Sequence, residues 1–174
     1  VRIDTKVKKL WKNLYITNND INGGSHRFYC RKFKNGSIKL PKENILEMMK
    51  KFVYRVKKNK RVTLDFIKKQ IKKNKKIFLY GASTKGNTVL QYYGLNNRII
   101  PYAAERTSFK WGKYTIGTGI KIISEKEAKK LKPDFFFVTP WGFIKEFIKR
   151  EKNWLNNGGK FILPFPKMKI IGKK

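Results

Sequence analysis

The sequence contains a single cysteine, Cys30, and a single histidine, His26, among 174 residues. One cysteine excludes a framework of intrachain disulfides, and the two residues are too few for a zinc site built from cysteine and histidine, so no metal is expected. No run of about 18 uncharged apolar residues occurs, which argues against a transmembrane helix and a membrane partner. The first residues also lack the basic and apolar regions of a secretory signal peptide. These absences predict a cytoplasmic protein.

Acidic residues are scarce as well: 11 stand against 43 lysines and arginines, and the formal net charge is +32. Such a charge is typical of proteins that neutralise a nucleic-acid backbone. Only eight of the basic residues are arginine, however, and arginine is the usual choice for bidentate phosphate and base contacts. The abundance of lysine and the scarcity of alanine fit a genome rich in A/T codons. The sequence therefore disfavours a nucleic-acid partner, and a basic, non-enzymatic nucleic-acid-binding protein is the alternative hypothesis.

The chain divides into three regions, residues 1–37, 38–74 and 75–174. Two apolar runs, around Tyr15 and Tyr29, predict a pair of strands in the first region. Two strands cannot bury enough apolar surface to be stable alone, so this region is expected to be the C-terminal remnant of a truncated domain. Apolar residues at helical spacing after Pro41, and again over residues 64–71, predict linking helices in the second region.

The third region alternates between strand and helix patterns. Short apolar runs predict strands at residues 77–80, 99–104, 120–123, 135–138 and 160–163, and helical patterns predict helices at residues 86–93, 125–131 and 143–155. Such alternation is typical of the α/β class. The sequence therefore predicts a Rossmann-like, doubly wound parallel sheet, preceded by helices and by the two-stranded remnant.

The turn after the first strand of this sheet, residues 81–88, is where such folds bind phosphate. Its glycines suit a tight turn and a close approach of the helix to the sheet, and backbone N–H groups at the helix start point at a bound anion. The side chains of the turn supply further groups for an anion: hydroxyls from Ser83, Thr84 and Thr88 and a positive charge from Lys85. A plain strand-to-helix turn with no ligand is the alternative interpretation.

Two related motifs match the turn incompletely. Asn87 stands where a P-loop needs lysine, so ATP hydrolysis is disfavoured. Ser83 replaces the middle glycine of the dinucleotide fingerprint, and its side chain would crowd a pyrophosphate. An NAD(P)-binding Rossmann domain is therefore a weaker alternative.

Glu105 follows the second predicted strand, 24 residues after Gly81. An acidic residue at this place meets the ribose hydroxyls in nucleotide-binding βαβ units. The alternative is that Glu105 pairs with Arg106 or with a nearby lysine. We expect a role facing the nucleotide.

The loop at residues 107–119 is about twice as long as a usual connection, which favours a binding loop. Its Trp111 and Tyr114 are suited to stacking on a base, and Lys110 to reaching a phosphate. Anchoring of the rings to the core is the alternative. Trp141 follows the fourth predicted strand, at the edge where ligands lie, and packing of Pro140-Trp141 on the core is the alternative to ligand contact.

Several segments together indicate a family. They are YGASTKGNT at residues 80–88, Glu105-Arg106, KWGKYT at 110–115, Gly117-Thr118, GGKF at 158–161 and Pro164. They closely resemble the C-terminal domain of the S-adenosylmethionine-dependent sugar C-methyltransferases, and the resemblance extends over residues 12–171. The early residues 22–25 and 27–29 resemble the last two strands of that family's central methyltransferase domain.

The resemblance implies a methyltransferase that acts on a nucleotide-linked keto-deoxysugar. Ser83, Thr84, Lys85 and Asn87, with Gly81, Gly86 and Thr88 of the same turn, would bind the diphosphate, while Glu105, Arg106 and Lys110 would lie near the nucleoside and Trp141 matches a family tryptophan. Four positions depart from the family pattern: Glu105 for its aspartate, Ile116 for its proline, Gly119 for its histidine, and Asn22 for the histidine before its glycine pair.

The resemblance also implies that S-adenosylmethionine and the catalytic base belong to an upstream domain, so no cofactor is expected on this chain and its catalytic residues are unknown. His26 is interpreted as an ordinary strand residue. Because the chain begins at Val1 rather than at methionine, it is expected to be the C-terminal fragment of a longer enzyme and inactive alone.

Overall fold

The computed structural model describes residues 11–19, 25–32 and 45–172, in two compact units that divide between Met49 and Lys50. The first unit contains the strands β1 (Trp11–Asn19) and β2 (Ser25–Lys32), which pair antiparallel. These are the two strands that the sequence predicts. The predictions on Val1, on residues 22–24 and on Pro41 lie outside the described residues, and the predicted domain boundaries stay predictions.

A single helix, α1 (Ile45–Ile71), stands where the sequence predicts separate helical stretches. Neither glycine nor proline occurs within it, so nothing in the backbone breaks the helix. Thr63 and Ile67 are buried one turn apart in its second half, whereas Phe52 and Val53 in its first half are exposed. The prediction of helix from the apolar spacing is therefore confirmed, whereas the predicted division into separate helices is wrong.

Six short strands build the sheet of the second unit. They are β3 (Ile77–Tyr80), β4 (Tyr102–Glu105), β5 (Lys121–Ser124), β6 (Phe135–Val138), β7 (Lys160–Leu163) and β8 (Lys169–Ile171). Their order is β5-β4-β3-β6-β7-β8, with every neighbouring pair parallel except β7 and β8. The predicted α/β fold with a mostly parallel, Rossmann-like sheet is thus confirmed. The three-residue β8 was not predicted, because so short an edge strand carries too little pattern.

Four helices connect these strands: α2 (Thr84–Tyr93), α3 (Glu125–Lys130), α4 (Ile144–Arg150) and α5 (Lys152–Asn156). The predicted helix over 143–155 is divided at Glu151, whose buried side chain accepts a hydrogen bond from the Tyr80 hydroxyl of β3. Ser124 opens α3 with the capping box that its spacing to Glu127 predicts. Among the described residues no helix is long and apolar enough to cross a membrane.

Both faces of the sheet are buried. Ile77 and Leu79 of β3 belong to one core cluster, and Phe78 and Tyr80 belong to the other. Alternate residues of a strand point to opposite faces, so a strand covered on both sides is apolar throughout. Successive strands are added on one side of β3 as far as β5, and then on its other side from β6. The order of the strands therefore reverses between β3 and β6, and open α/β sheets bind their ligands outside the carboxyl ends of the strands at such a reversal.

Candidate functional site

A cleft of about 250 Å³ lies at the carboxyl ends of β3 and β4. Its lining comes from the turn after β3 (Gly81, Ala82, Ser83), from the segment after β4 (Arg106, Lys110) and from Pro140 after β6, among others. Open α/β sheets bind their ligands where the strand order reverses. The cleft is therefore the candidate site of this fold.

Two glycines bring the backbone close together beside the cleft. Gly81 has a φ of +81°, a conformation that residues with a Cβ rarely adopt. A Cβ at Gly86 would lie 2.2 Å from Thr139 Oγ1, so only glycine lets α2 approach the end of β6 this closely. The predicted reasons for both glycines, a tight turn and a close helix approach, match this geometry.

Ser83 caps the N-terminus of α2. Its Oγ accepts a hydrogen bond from the Gly86 amide at 3.0 Å, and its hydroxyl hydrogen remains free to donate. The first turn of α2 contains no acidic residue, and Lys85 is exposed there. Helix N-termini attract anions through their free amides and the helix dipole. This end of the cleft is thus suited to a phosphate group.

Glu105 is buried, and both of its carboxylate oxygens have partners within the chain. Oε2 accepts from the Ala82 amide at 2.9 Å and lies 3.4 Å from Lys110 Nζ, while Oε1 accepts from the Thr107 amide at 3.0 Å. Burial by itself would raise the pKa of Glu105, but the hydrogen bonds from Thr107 and Ala82 and the charge of Lys110 outweigh it and lower the pKa. The carboxylate is therefore ionised at neutral pH and holds the turn after β3.

The long loop after β4 is held by its own polar groups. Trp111 donates its indole N–H to the Glu105 carbonyl at 2.8 Å, and the hydroxyls of Thr115 and Thr118 lie 2.6 Å apart. The rings of Phe109 and Tyr114 are 70% and 60% exposed. Trp111 therefore ties the loop to the end of β4 through its N–H, while its side chain stays exposed, and Phe109 and Tyr114 also present aromatic surface to solvent.

The opposite wall of the cleft is centred on Arg150 of α4. Its NH2 lies 2.8 Å from Glu125 Oε1, and its NH1 lies 3.4 Å from Glu146 Oε1. The same Glu146 oxygen is 3.9 Å from Arg106 NH1. Two cations and two carboxylates thus alternate along this wall.

The floor beneath this wall is fixed by Tyr80. Its hydroxyl donates to Glu151 Oε1 at 2.7 Å and accepts from Arg150 NH2 at 2.7 Å, while Glu151 Oε2 pairs with Lys129 at 2.8 Å. Burial raises the pKa of Tyr80 far above its usual value, and the neighbouring Glu151 adds to the effect. The hydroxyl therefore stays protonated and holds Arg150 in place.

The structure brings together five of the residues that the sequence singles out, Gly81, Ser83, Glu105, Arg106 and Lys110, which all line the cleft. The others lie beside it. Thr84, Lys85 and Thr88 are exposed on α2, Gly86 is buried against Thr139, and Asn87 is half-buried with its Oδ1 buried and without a hydrogen-bond partner. Trp141 packs on Phe165, with ring centroids 5.2 Å apart. Ligand binding by all of these residues stays a prediction.

The sequence reasoning missed the Arg150 wall. Glu125, Glu146 and Arg150 lie on two helices, and Phe143 lies in the short turn before the second. The only local signal is the spacing of four between Glu146 and Arg150, which is common on any exposed helix face. The scarcity of acidic residues was the usable clue, since three of the chain's 11 acidic residues line this cleft.

No cluster of three or more side chains suited to holding a metal ion occurs within residues 11–19, 25–32 and 45–172. The candidate site is therefore described through its hydrogen-bonding and charged groups.

Comparison with known proteins places this geometry in a family. Residues 20–166 match the family described as the C-methyltransferase C-terminal domain. The C-methyltransferase NovU of Streptomyces niveus is 38% identical over 92 residues, which are 53% of this chain and 22% of NovU. The matched part is thus less than a quarter of that relative's length. The match to the family covers the β3 turn, the cleft and the Arg150 wall alike, and the chain belongs to the family of C-methyltransferase C-terminal domains.

Proposed function

We propose that this chain is the sugar-nucleotide-binding part of an S-adenosylmethionine-dependent C-methyltransferase, and that the substrate is a nucleoside-diphosphate-linked keto-deoxysugar. Membership of the C-methyltransferase C-terminal domain family supports the reaction class. The observation that carries the binding role is the start of α2, where Ser83 caps the helix next to a cleft at the strand reversal.

The diphosphate is assigned to the first turn of α2. The Gly86 amide is taken by the Ser83 cap, whereas the amides of Thr84 and Lys85 have no helix carbonyl to donate to. The Ser83 hydroxyl is free to donate, and Lys85 supplies a positive charge. A diphosphate carries several acceptor oxygens and no donors at neutral pH, so it complements this set of donors. Asn87 Oδ1 is buried, and as an acceptor it cannot bind a phosphate oxygen. The Asn87 side chain would donate to a phosphate only if its NH₂ group occupied the position of Oδ1.

Glu105 contributes to this site indirectly. Its oxygens are engaged by Ala82, Thr107 and Lys110, and these bonds set the direction of the turn after β3. A ribose hydroxyl that bound Glu105 would have to share a carboxylate oxygen with one of these donors. The predicted contact of Glu105 with the nucleoside therefore stays a prediction, and positioning of the turn is the role that its described contacts support.

S-adenosylmethionine supplies an electrophilic methyl group when it is bound to a methyltransferase. The cleft does not fit this cofactor well, because Glu105, the acidic residue at the end of β4, offers no free oxygen to ribose hydroxyls. We assign no S-adenosylmethionine site to the described residues and derive no methyl-transfer step from them.

Calorimetric titration of the chain with adenosine, guanosine, cytidine, uridine and thymidine diphosphates tests the binding role. At least one should bind, and Lys85→Ala and Ser83→Ala should each weaken it about tenfold, the usual effect of losing one charge-assisted hydrogen bond. Lys126→Ala, which removes an exposed lysine from α3, is the matched control. Binding that neither Lys85→Ala nor Ser83→Ala changes would refute the assignment of the diphosphate to α2.

A further inference from the structure

The charge balance of the cleft differs from that of the rest of the molecule. Across the chain, 43 basic residues stand against 11 acidic ones. The cleft lining, by contrast, contains three carboxylates, Glu105, Glu125 and Glu146, and three cations, Arg106, Lys110 and Arg150. The charges of the cleft lining balance, so the cleft lacks the excess of positive charge that would draw further anions into it, and its polar groups are suited to an uncharged ligand group as well.

The carboxylates are not evenly distributed. The first turn of α2 contains none, whereas Glu125 and Glu146 both lie on the wall around Arg150. An anionic group therefore binds best at α2, and the group attached to it extends towards Arg150. This gives the cleft a direction, with the phosphate at one end and an uncharged group at the other.

The Arg150 wall offers hydrogen-bond acceptors and donors side by side. Glu125 Oε1 and Arg150 NH2 are 2.8 Å apart, and Arg150 NH1 and Glu146 Oε1 are 3.4 Å apart. Neighbouring hydroxyls on a sugar ring have a similar separation, and each hydroxyl both donates and accepts. Both hydrogens of Arg150 NH2 are engaged by Tyr80 and Glu125, so NH1 is the nitrogen that can donate to a ligand. Glu146 accepting from one hydroxyl beside Arg150 NH1 donating to the next is complementary to such a pair.

The wall also includes an aromatic face. Phe143 lines the cleft and is 59% exposed, and its ring centroid lies 6.3 Å from that of Phe147. Binding sites commonly combine a few directed polar groups with aromatic surface. The C–H face of a sugar ring can cover Phe143 while the hydroxyls at its edge meet Glu146 and Arg150.

We propose that Glu125, Glu146, Arg150 and Phe143 form a subsite for a vicinal diol on a sugar ring. The inference rests on the proposed function, because the diphosphate at α2 determines which end of the ligand reaches this wall. Tyr80 and Glu125 hold Arg150, so the donor is positioned before the ligand arrives. Glu146 is 57% exposed and is free to turn from Arg150 to a hydroxyl.

Two parts of a sugar nucleotide carry such a diol: the ribose of the nucleoside and the sugar attached to the diphosphate. Calorimetric titration of the wild-type chain and of Glu146→Ala and Phe143→Ala separates them. The ligands are pyrophosphate, the adenosine, guanosine, cytidine and uridine diphosphates, their 2′-deoxy counterparts, thymidine diphosphate, and the glucose conjugates of these nucleotides. Asp65→Ala, which removes an exposed carboxylate from α1, is the control.

Both variants should weaken diol-bearing ligands about tenfold and leave pyrophosphate within about twofold. Glu146→Ala removes one hydrogen bond to a charged group, and Phe143→Ala removes the apolar contact with the C–H face of the ring. If the ribose is the source, the 2′-deoxy nucleotides will not respond to Glu146→Ala. If the attached sugar is the source, only the glucose conjugates will respond. Asp65→Ala should change none of these affinities.

The inference is overturned if pyrophosphate weakens as much as the diol-bearing ligands, or if neither variant changes any affinity. If neither Glu146→Ala nor Phe143→Ala changes any affinity while Lys85→Ala still weakens pyrophosphate binding, the diol subsite is overturned and the proposed diphosphate site stays intact. A Glu146→Ala effect on diol-bearing ligands without any Lys85→Ala effect supports the diol subsite and refutes the diphosphate assignment. Absence of binding by every ligand overturns both.

Discussion

Glu105 and Lys110 hold the backbone of Ala82 from both sides. The Glu105 carboxylate accepts from the Ala82 amide at 2.9 Å, and Lys110 Nζ donates to the Ala82 carbonyl at 3.1 Å. The two side chains are also paired, at 3.4 Å. The turn after β3 therefore takes its direction from residues more than 20 positions further along the chain. A ligand that meets this turn encounters a backbone that is already oriented.

This arrangement predicts the effect of Glu105→Gln. The amide NH₂ of glutamine would face the Ala82 or the Thr107 amide, so one buried hydrogen bond is lost and two donors oppose each other. We expect the free energy of unfolding to fall by about 1–3 kcal/mol at pH 7. Urea denaturation measures this, with Glu146→Gln on the exposed side of the cleft as the control, which should change stability by less than about 0.5 kcal/mol.

The same carboxylate predicts a pH dependence. The pKa of Glu105 is lower in the folded chain than its ordinary value of 4.5. Its ionised form therefore stabilises the fold above pH 4.5, and that contribution is lost as the pH falls through the lowered pKa. The stability difference between wild type and Glu105→Gln should be full at pH 6 to 7 and should shrink below pH 4.5. A difference that grows on acidification contradicts the lowered pKa.

Gly86 is predicted to tolerate no side chain. A Cβ there would lie 2.2 Å from Thr139 Oγ1 and 2.8 Å from Thr139 Cβ, so Gly86→Ala must push α2 away from the sheet. We expect a loss of about 1–3 kcal/mol in the free energy of unfolding, which Thr139→Ala in the same chain should reduce. Gly142→Ala is the matched control, because no atom lies within 4 Å of its added Cβ. Equal effects at the two glycines would contradict the close contact.

Tyr80 and Tyr93 should resist ionisation at alkaline pH. Burial raises the pKa of Tyr93 to about 12, and burial together with Glu151 raises that of Tyr80 further. In a spectrophotometric titration, Tyr80→Phe and Tyr93→Phe should therefore leave the absorbance change up to about pH 11 nearly unaltered. A clear loss of absorbance change in either variant would contradict the raised pKa. Neutral Tyr80 stabilises the fold below pH 10, and this contribution is lost as the pH rises through its folded pKa.

Salt separates nucleotide binding from binding to nucleic acid. A protein that contacts 6–10 phosphates of a duplex loses about 10³–10⁵ in affinity between 50 and 200 mM salt. Binding of a nucleoside diphosphate at α2 involves few charges, so its affinity should fall far less over the same range. Lys85→Ala should weaken the nucleotide and leave any affinity for a DNA duplex unchanged, as measured by fluorescence anisotropy. Equal weakening of both would favour the nucleic-acid alternative.

Much of the fold was predictable because it depends on neighbours in the chain. Phe135 to Val138 form a continuous apolar run, and all four residues are buried in a parallel strand. Ser124 and Glu127 form their capping box because both partners lie within one helical turn. The glycines at positions 81 and 86 likewise mark a turn and a close helix approach, which residue type alone indicates.

The sequence predicts the cleft residues of two short segments, the turn after β3 and the segment after β4, and does not predict the Arg150 wall. The turn at residues 81–88 is visible in the sequence because all of its donors are adjacent. Tyr80 and Glu151 are 71 positions apart, and Glu125 and Arg150 are 25 apart, so their contacts depend on how α3 and α4 pack on the sheet. No local pattern encodes that packing.

By itself the sequence determined the α/β class, the places of the central strands and the glycine-containing turn after β3, since these follow from apolar periodicity, glycine positions and capping residues. Only the tertiary structure decided that Glu105 faces Ala82 and Lys110 within the chain, and that carboxylates and arginines gather on one wall of the cleft. The physical reason is that hydrogen bonds and ion pairs form between groups a few ångströms apart, and packing of distant segments sets those distances. The excess of positive charge is a property of composition, whereas the neutrality of the cleft is a property of the fold.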